Sequence, residues 1–276
     1  MITELSIFNV YGDSMSFPIP SGGDGYLIKD IKGLDPVPVS LVSTPQANLP
    51  GERFQASKRE KRNIVLTIEI QKGYAGVSVE DRRRALYSLM IPETPLTLFF
   101  ETTHFGQVSI EGYVDTFEAP IFGNDSTKAT ISIVCFRPEF VGEKVVVTYP
   151  DNNVWSKLVV YEGTVPTGIV AHSSVPSTGT AWAFRCSTDY DVALSNSAWF
   201  YLSTSGTSTT EITLSSVPGD KFVHNQAGES LLHRQSEASI WPILHPGDNY
   251  AFPTSSPTPV VSSNNWMSYN PLYGAL

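Results

Sequence analysis

Ile64-Val65-Leu66-Thr67-Ile68-Glu69-Ile70 ends in apolar/polar alternation, the period of a half-buried β-strand. The same rule runs through its neighbourhood. Residues 96–100 and 108–114 alternate, with Gly106 as the turn of a hairpin between them. Residues 129–136 place Ile131, Ile133 and Cys135 on one face. One segment breaks the period. Ser78-Val79-Glu80-Asp81-Arg82-Arg83-Arg84-Ala85-Leu86-Tyr87-Ser88-Leu89-Met90 reads as a helix over 78–90. Ser78 can cap it, with Asp81 three residues on completing a capping-box-like start. Glu80 and Asp81 suit the positive end of the helix dipole. Val79, Leu86, Leu89 and Met90 give it an apolar face, and Pro92 stops it.

Composition agrees with a strand-and-turn protein. The 276 residues include 32 Ser, 23 Thr, 20 Gly and 20 Pro, while charged residues make up only 16%. That is well under the roughly 25% usual in soluble domains. Hydrophobic residues, 41% of the chain, suffice for a core. The net charge of −9 argues against a general duplex-binding protein, because such binding rests on Lys and Arg neutralising phosphates. No apolar run approaches the ~20 residues of a membrane helix, so membrane insertion is not expected. Met1-Ile2-Thr3-Glu4-Leu5 lacks the basic start and apolar stretch of a secretory signal. Cys135 and Cys186 are too few for a disulfide scaffold and read as buried free thiols of a reducing compartment.

Charge divides the chain. Residues 1–141 carry 13 basic and 17 acidic side chains, whereas residues 142–276 carry 5 and 10. Pro138-Glu139-Phe140-Val141-Gly142 lies between two strand candidates, so two domains are expected, 1–141 and 142–276. The second is all-β in character. Residues 145–149, 158–161, 181–186, 199–202 and 211–214 are short strand candidates separated by turn residues, and no convincing helix interrupts them. That spacing indicates a sandwich.

Two basic clusters stand out in the first domain. Residues 46–63 read as a long polar link, with Asn48-Leu49-Pro50-Gly51 as turn chemistry and Arg53, Lys58, Arg59, Lys61 and Arg62 close together. Such a link fits a surface loop or an inter-subunit arm. Arg82, Arg83 and Arg84 fit a solvated helix face or a subunit contact. Candidate interface residues are therefore Arg53, Lys58, Arg59, Arg62, Arg82, Arg83 and Arg84.

No catalytic constellation emerges. His104, His172, His224, His233 and His245 form no HxxxH or HExxH spacing, neither cysteine sits in a CxxC, and no GxSxG elbow occurs. No metal, cofactor or catalytic residue is expected. Gly22-Gly23-Asp24-Gly25 lacks the GK[ST] of a phosphate loop and reads as a turn. Asp189-Tyr190-Asp191 pairs two acids that fit solvent exposure better than a glycosidase cleft. All five tryptophans, Trp155, Trp182, Trp199, Trp241 and Trp266, lie in the second half. Trp182 and Trp199 fit its core; Trp241 and Trp266 are candidate surface residues for stacking on a sugar.

The chain ends in Leu244-His245-Pro246-Gly247-Asp248-Asn249-Tyr250, then Trp266-Met267-Ser268-Tyr269 and Tyr273-Gly274-Ala275-Leu276. Together with Tyr161-Glu162-Gly163-Thr164-Val165-Pro166-Thr167, the one-helix β domain and the Ser/Thr-rich sandwich, this resembles the distal tail protein family of bacteriophages with long non-contractile tails. The resemblance implies a galectin-like second domain and a structural, non-enzymatic protein. It implies a ring, commonly of six subunits, at the tail tip. Tail tube protein, tail hub protein and receptor-binding or tail fibre proteins would be its partners, and DNA only a transient cargo of the channel. Location in the virion tail tip follows, with synthesis and assembly in the host cytoplasm. Cyclic closure needs a head-to-tail interface between unlike surfaces. The basic residues above suit one surface, and Glu111, Asp115 and Glu118 the other. An acidic lumen would let DNA pass without sticking. The alternatives are a carbohydrate-binding module engaging the host surface and, behind it, a glycan hydrolase.

Overall fold

The computed structural model describes residues 1–46, 50–71, 74–120, 127–148, 157–174, 181–188, 199–205, 209–256 and 265–276. Trp155, Asn48-Leu49 and Asp189-Tyr190-Asp191 lie outside them. The chain is mainly β, and its contacts divide it into two units: Met1–Gly142 with Tyr273–Leu276, and Glu143–Leu272.

Unit 1 contains β1 (Ile2–Asn9), β2 (Ser14–Pro18), β3 (Tyr26–Lys32), β4 (Val39–Pro45), β5 (Glu52–Arg59), β6 (Arg62–Ile70), α1 (Val79–Leu89), β7 (Pro95–Thr102), β8 (Gly106–Glu118), β9 (Thr127–Cys135) and β10 (Phe140–Gly142). Its main sheet runs β2-β1-β7-β8-β9-β6-β3, with β10 beside β8. Every neighbouring pair along that path is antiparallel. Alternation sets the register. Ile64, Leu66, Ile68 and Ile70 of β6 are fully buried, and Ile131 and Ile133 of β9 lie opposite Leu66 and Ile64. Each such side chain contributes about 1.5–3 kcal/mol by leaving water. Gly112 lets β8 lie close on β9, since a Cβ there would sit 2.6 Å from Ile133 Cγ2 and 2.8 Å from Cys135 Sγ. Helix α1 adds Leu86 and Leu89 to the same core. Ser78 caps it, its Oγ accepting from the Asp81 N–H at 3.1 Å and donating to Asp81 Oδ2 at 2.7 Å.

Residues 46–63 are not the expected polar link. Residues 52–59 form β5, which pairs with β4 as a separate two-stranded ribbon, and β6 already begins at Arg62. Neither strand of the ribbon buries a face, so no apolar period marks it in the sequence. A single cut at 141 is also corrected for the last four residues. Arg62 Nη2 donates to the Gly274 carbonyl at 2.6 Å, Leu276 N donates to Leu34 O at 3.2 Å, and the Tyr273 ring packs 4.5 Å from that of Phe105.

Unit 2 contains β11 (Val145–Thr148), β12 (Lys157–Tyr161), β13 (Thr167–Gly168), β14 (Val170–Ser174), β15 (Ala181–Ser187), β16 (Phe200–Ser203), β17 (Glu211–Ser215), β18 (Phe222–Asn225), β19 (Ile243–Leu244), β20 (Gly247–Ser256) and β21 (Trp266–Tyr269). One sheet runs β11-β21-β14-β17-β18, the other β12-β20-β15-β16, and β13 pairs with β19. Ala171, Ile212, Leu214 and Met267 of the first sheet share one buried cluster with Val159, Trp182, Phe184, Phe200 and Ala251 of the second. This is the packing of a sandwich. Tyr161 Oη donates to Val165 O at 2.5 Å and accepts from Leu272 N at 2.9 Å. Asn249, fully buried, closes the His245–Asn249 turn. Its Oδ1 accepts from His245 N at 2.9 Å, and its Nδ2 donates to the carbonyls of His245 (2.7 Å) and Gly247 (2.9 Å).

Candidate interaction surface

The β4–β5 ribbon is exposed along its whole length. Residues opposite one another in an antiparallel pair share a face. The pairs Val39↔Arg59, Leu41↔Ser57 and Ser43↔Phe54 therefore define one face, and Ser40↔Lys58, Val42↔Ala56 and Thr44↔Arg53 the other; the register shifts between Val42 and Ser43. The first face carries Val39, Leu41 and Phe54 into solvent, Leu41 at 70% and Phe54 at 61% exposure. Arg53 and Lys58 stand on the second. The ribbon is rooted by the Arg59–Glu139 ion pair at 3.0 Å and by Glu60 N donating to Pro38 O at 3.1 Å. Hydrogen bonds from Ser43 to Glu52, from Ser40 to Glu60 and from Gln55 to Thr44 stiffen it. An isolated two-stranded hairpin is marginally stable in water at best, which makes this exposed ribbon a candidate for contact with another surface.

A second exposed set lies on the outward face of β8 and β9. Tyr113 and Phe136 meet edge to face, ring centroids 5.8 Å apart, at 46% and 67% exposure. Glu111 and Asp115 flank Tyr113 along β8, and both are exposed. A third is the β1–β2 turn. Asn9 Oδ1 accepts from Tyr11 N (3.0 Å) and Asp13 N (2.9 Å), which holds Val10 and Tyr11 outward.

The structure separates the seven candidate arginines and lysines. Arg53, Lys58 and Arg59 belong to the ribbon, and Arg84 is exposed on α1. Arg83 is half-buried and donates to Ala119 O at 2.7 Å. Arg62 and Arg82 leave the candidate surface, because both are buried. Arg62 donates to the carbonyls of Pro138, Gly33, Asp35 and Gly274, and its guanidinium lies 4.4 Å from the Phe140 ring centroid. Burial pushes its pKa below the ordinary arginine value. Arg82 donates to the carbonyls of Asp24, Gln71 and Val77, while its own carbonyl accepts from Tyr26 Oη at 2.8 Å. Gly25 makes room for that guanidinium, since a Cβ there would come 2.5 Å from Arg82 Nε.

The two candidate sugar contacts are half-buried against their own unit. Trp241 packs on Phe200, centroids 4.8 Å apart, with Lys221 Nζ 5.3 Å from its ring. Trp266 stacks on His172 at 5.5 Å, with Lys144 Nζ 5.9 Å away. Rings occupied in this way offer little open face to a pyranose. Trp182 is fully buried, and Trp199 is half-buried. Among the described residues, no group of His, Cys, Asp or Glu is placed to hold a metal, and no helix is long and apolar enough to cross a membrane.

No family model and no curated protein matches the sequence. Solved structures do match. The crystal structure of the SPP1 Dit (gp 19.1) protein, a paradigm of the hub adsorption apparatus in Gram-positive infecting phages, is similar to this chain with a TM-score of 0.69. The identity is 14%, over 97% of this chain and 98% of that one. Two structures of the phage p2 baseplate in its activated conformation, one with Sr and one with Ca, match with a TM-score of 0.45 at 12% identity over 98% of both chains. The likeness to SPP1 Dit shows a shared fold over nearly the full length of both proteins.

Proposed function

We propose that the protein is a structural component of a bacteriophage tail tip, an adaptor that acts by assembly and not by catalysis. Copies of the first domain close into a ring of six. One side of the ring seats on the tail tube and the other on the tail hub. The second domain, a galectin-like sandwich, holds receptor-binding or tail fibre proteins. DNA crosses the central channel as transient cargo, past a lumen that carries net negative charge. The protein is synthesised and assembled in the host cytoplasm and resides in the virion tail tip.

The observation that carries this reading is the β4–β5 ribbon, an exposed arm with an apolar face, on a chain whose fold matches SPP1 Dit over 97% of its length. An exposed arm and a body that displays apolar patches are what a head-to-tail ring requires. Antibody raised against the protein and imaged on phage particles tests the placement. Decoration at the distal end of the tail is expected; decoration confined to the head would contradict it.

A further inference from the structure

We propose that Asp24–Gly25 is a site of spontaneous isoaspartate formation, and that the Arg82 guanidinium gates it. The step is the only Asp-Gly in the sequence, and no Asn-Gly occurs. It forms the tip of a tight hairpin turn. Tyr26 N donates to Gly23 O at 2.8 Å, and Gly23 N donates to Tyr26 O at 3.0 Å. Asp24 and Gly25 have φ of 52° and 83°, the type I′ pattern that Asp-Gly favours. Asp24 is exposed, and none of the turn's hydrogen bonds uses the Gly25 N–H. Gly25 has no side chain to hinder an attack by its own nitrogen on the neighbouring carboxyl group.

In that attack the Gly25 nitrogen bonds to Cγ of the Asp24 carboxylic acid and closes a succinimide ring. The Gly25 N–H proton leaves with the carboxyl hydroxyl as water. Water then opens the ring. Addition at Cγ regenerates aspartate; addition at the Asp24 main-chain carbonyl carbon leaves the chain running through Cγ as isoaspartate. Closure needs the Gly25 nitrogen on the Cβ side of the Asp24 Cα–C bond. A type I′ turn points it away, so the peptide must first rotate about that bond. Two contacts oppose the rotation. Arg82 Nε donates to the Asp24 carbonyl at 3.0 Å, and Gln71 N donates to the Gly25 carbonyl at 2.7 Å. Arg82 is buried and is itself fixed by the carbonyls of Gln71 and Val77. The reaction therefore waits on release of the clamp. Isoaspartate puts an extra carbon into the main chain of the turn, so the type I′ geometry cannot re-form and Arg82 Nε loses its acceptor.

Ageing the full chain tests it. Wild-type protein, Arg82→Lys and Asp24→Ser are held at physiological temperature and neutral pH, with circular dichroism to follow folding. Isoaspartate is counted by enzymatic methylation and located by electron-transfer mass spectrometry. The expected result is slow formation at position 24 in the wild-type protein and none there in Asp24→Ser. Arg82→Lys forms it roughly tenfold faster, because an ammonium cannot replace the guanidinium fork and the turn opens more often. Isoaspartate that accumulates elsewhere in the wild-type chain but not at position 24 overturns the site. Equal rates in wild type and folded Arg82→Lys overturn the gate. Urea below the unfolding transition provides a second arm that needs no variant. The wild-type rate at position 24 rises with urea as the turn opens locally. A rate that stays flat overturns the gate even where Arg82→Lys fails to fold.

Discussion

Arg62 and Gly274 are joined by a 2.6 Å hydrogen bond across 212 residues of sequence. The same guanidinium binds the carbonyls of Gly33, Asp35 and Pro138, so one buried side chain ties β6 to three other segments of unit 1. The C-terminal residues are thereby part of the first unit, and unit 2 is an insertion between Gly142 and Tyr273.

Arg62→Ala is expected to destabilise unit 1 by about 3 kcal/mol, because the buried Pro138 carbonyl loses its partner, three part-buried carbonyls lose theirs, and a cavity opens beside Phe140. Urea unfolding followed by probes in each unit checks this. The midpoint for unit 1 falls while that for unit 2 holds. Removal of residues 274–276 lowers the same transition by a smaller amount, since only the Gly274 and Leu276 contacts are lost.

Asn249→Ala is expected to cost unit 2 about 1–3 kcal/mol, through the loss of the three hydrogen bonds that close the 245–249 turn. Asn249→Asp is no remedy, because a carboxylate can accept from His245 N but cannot donate to either carbonyl. Thermal unfolding of the two variants measures this.

Cys135 gives a pH signature. Burial pushes its thiol from the ordinary 9.0 up to about 12, with the Arg62 guanidinium pulling the other way. The native thiol stays protonated where the unfolded thiol ionises. Its contribution to stability is complete below pH 9 and falls as pH rises from there toward 12. The urea midpoint of the wild-type protein, measured just below pH 9 and again midway to 12, should drop more than that of Cys135→Ala. Equal drops would remove Cys135 as a source. The Tyr26 hydroxyl, also raised by burial, adds a loss in the same direction to both proteins.

Much of the fold was legible because burial leaves a period. Strands β6, β7, β8 and β9 alternate, and α1 shows its cap and its stripe. The ribbon was not legible, because both its faces are exposed and nothing imposes a period on it. Charge alone points Arg62 and Arg82 to the surface. The signal that relocates them was present: Arg62 is in phase with Ile64, Leu66, Ile68 and Ile70, and Arg82 lies three residues after Val79 and four before Leu86 on the apolar stripe. A cation on a buried period is a carbonyl clamp more readily than a surface contact. The stacking of Trp266 on His172 depends on the register of β21 beside β14, which no local pattern encodes.

Mass by light scattering, with negative-stain imaging of the same sample, tests whether copies of this chain close into a ring. A single species of six chains with sixfold end-on views and a central channel is expected. A species with the mass of one chain, unchanged as concentration rises, would contradict it.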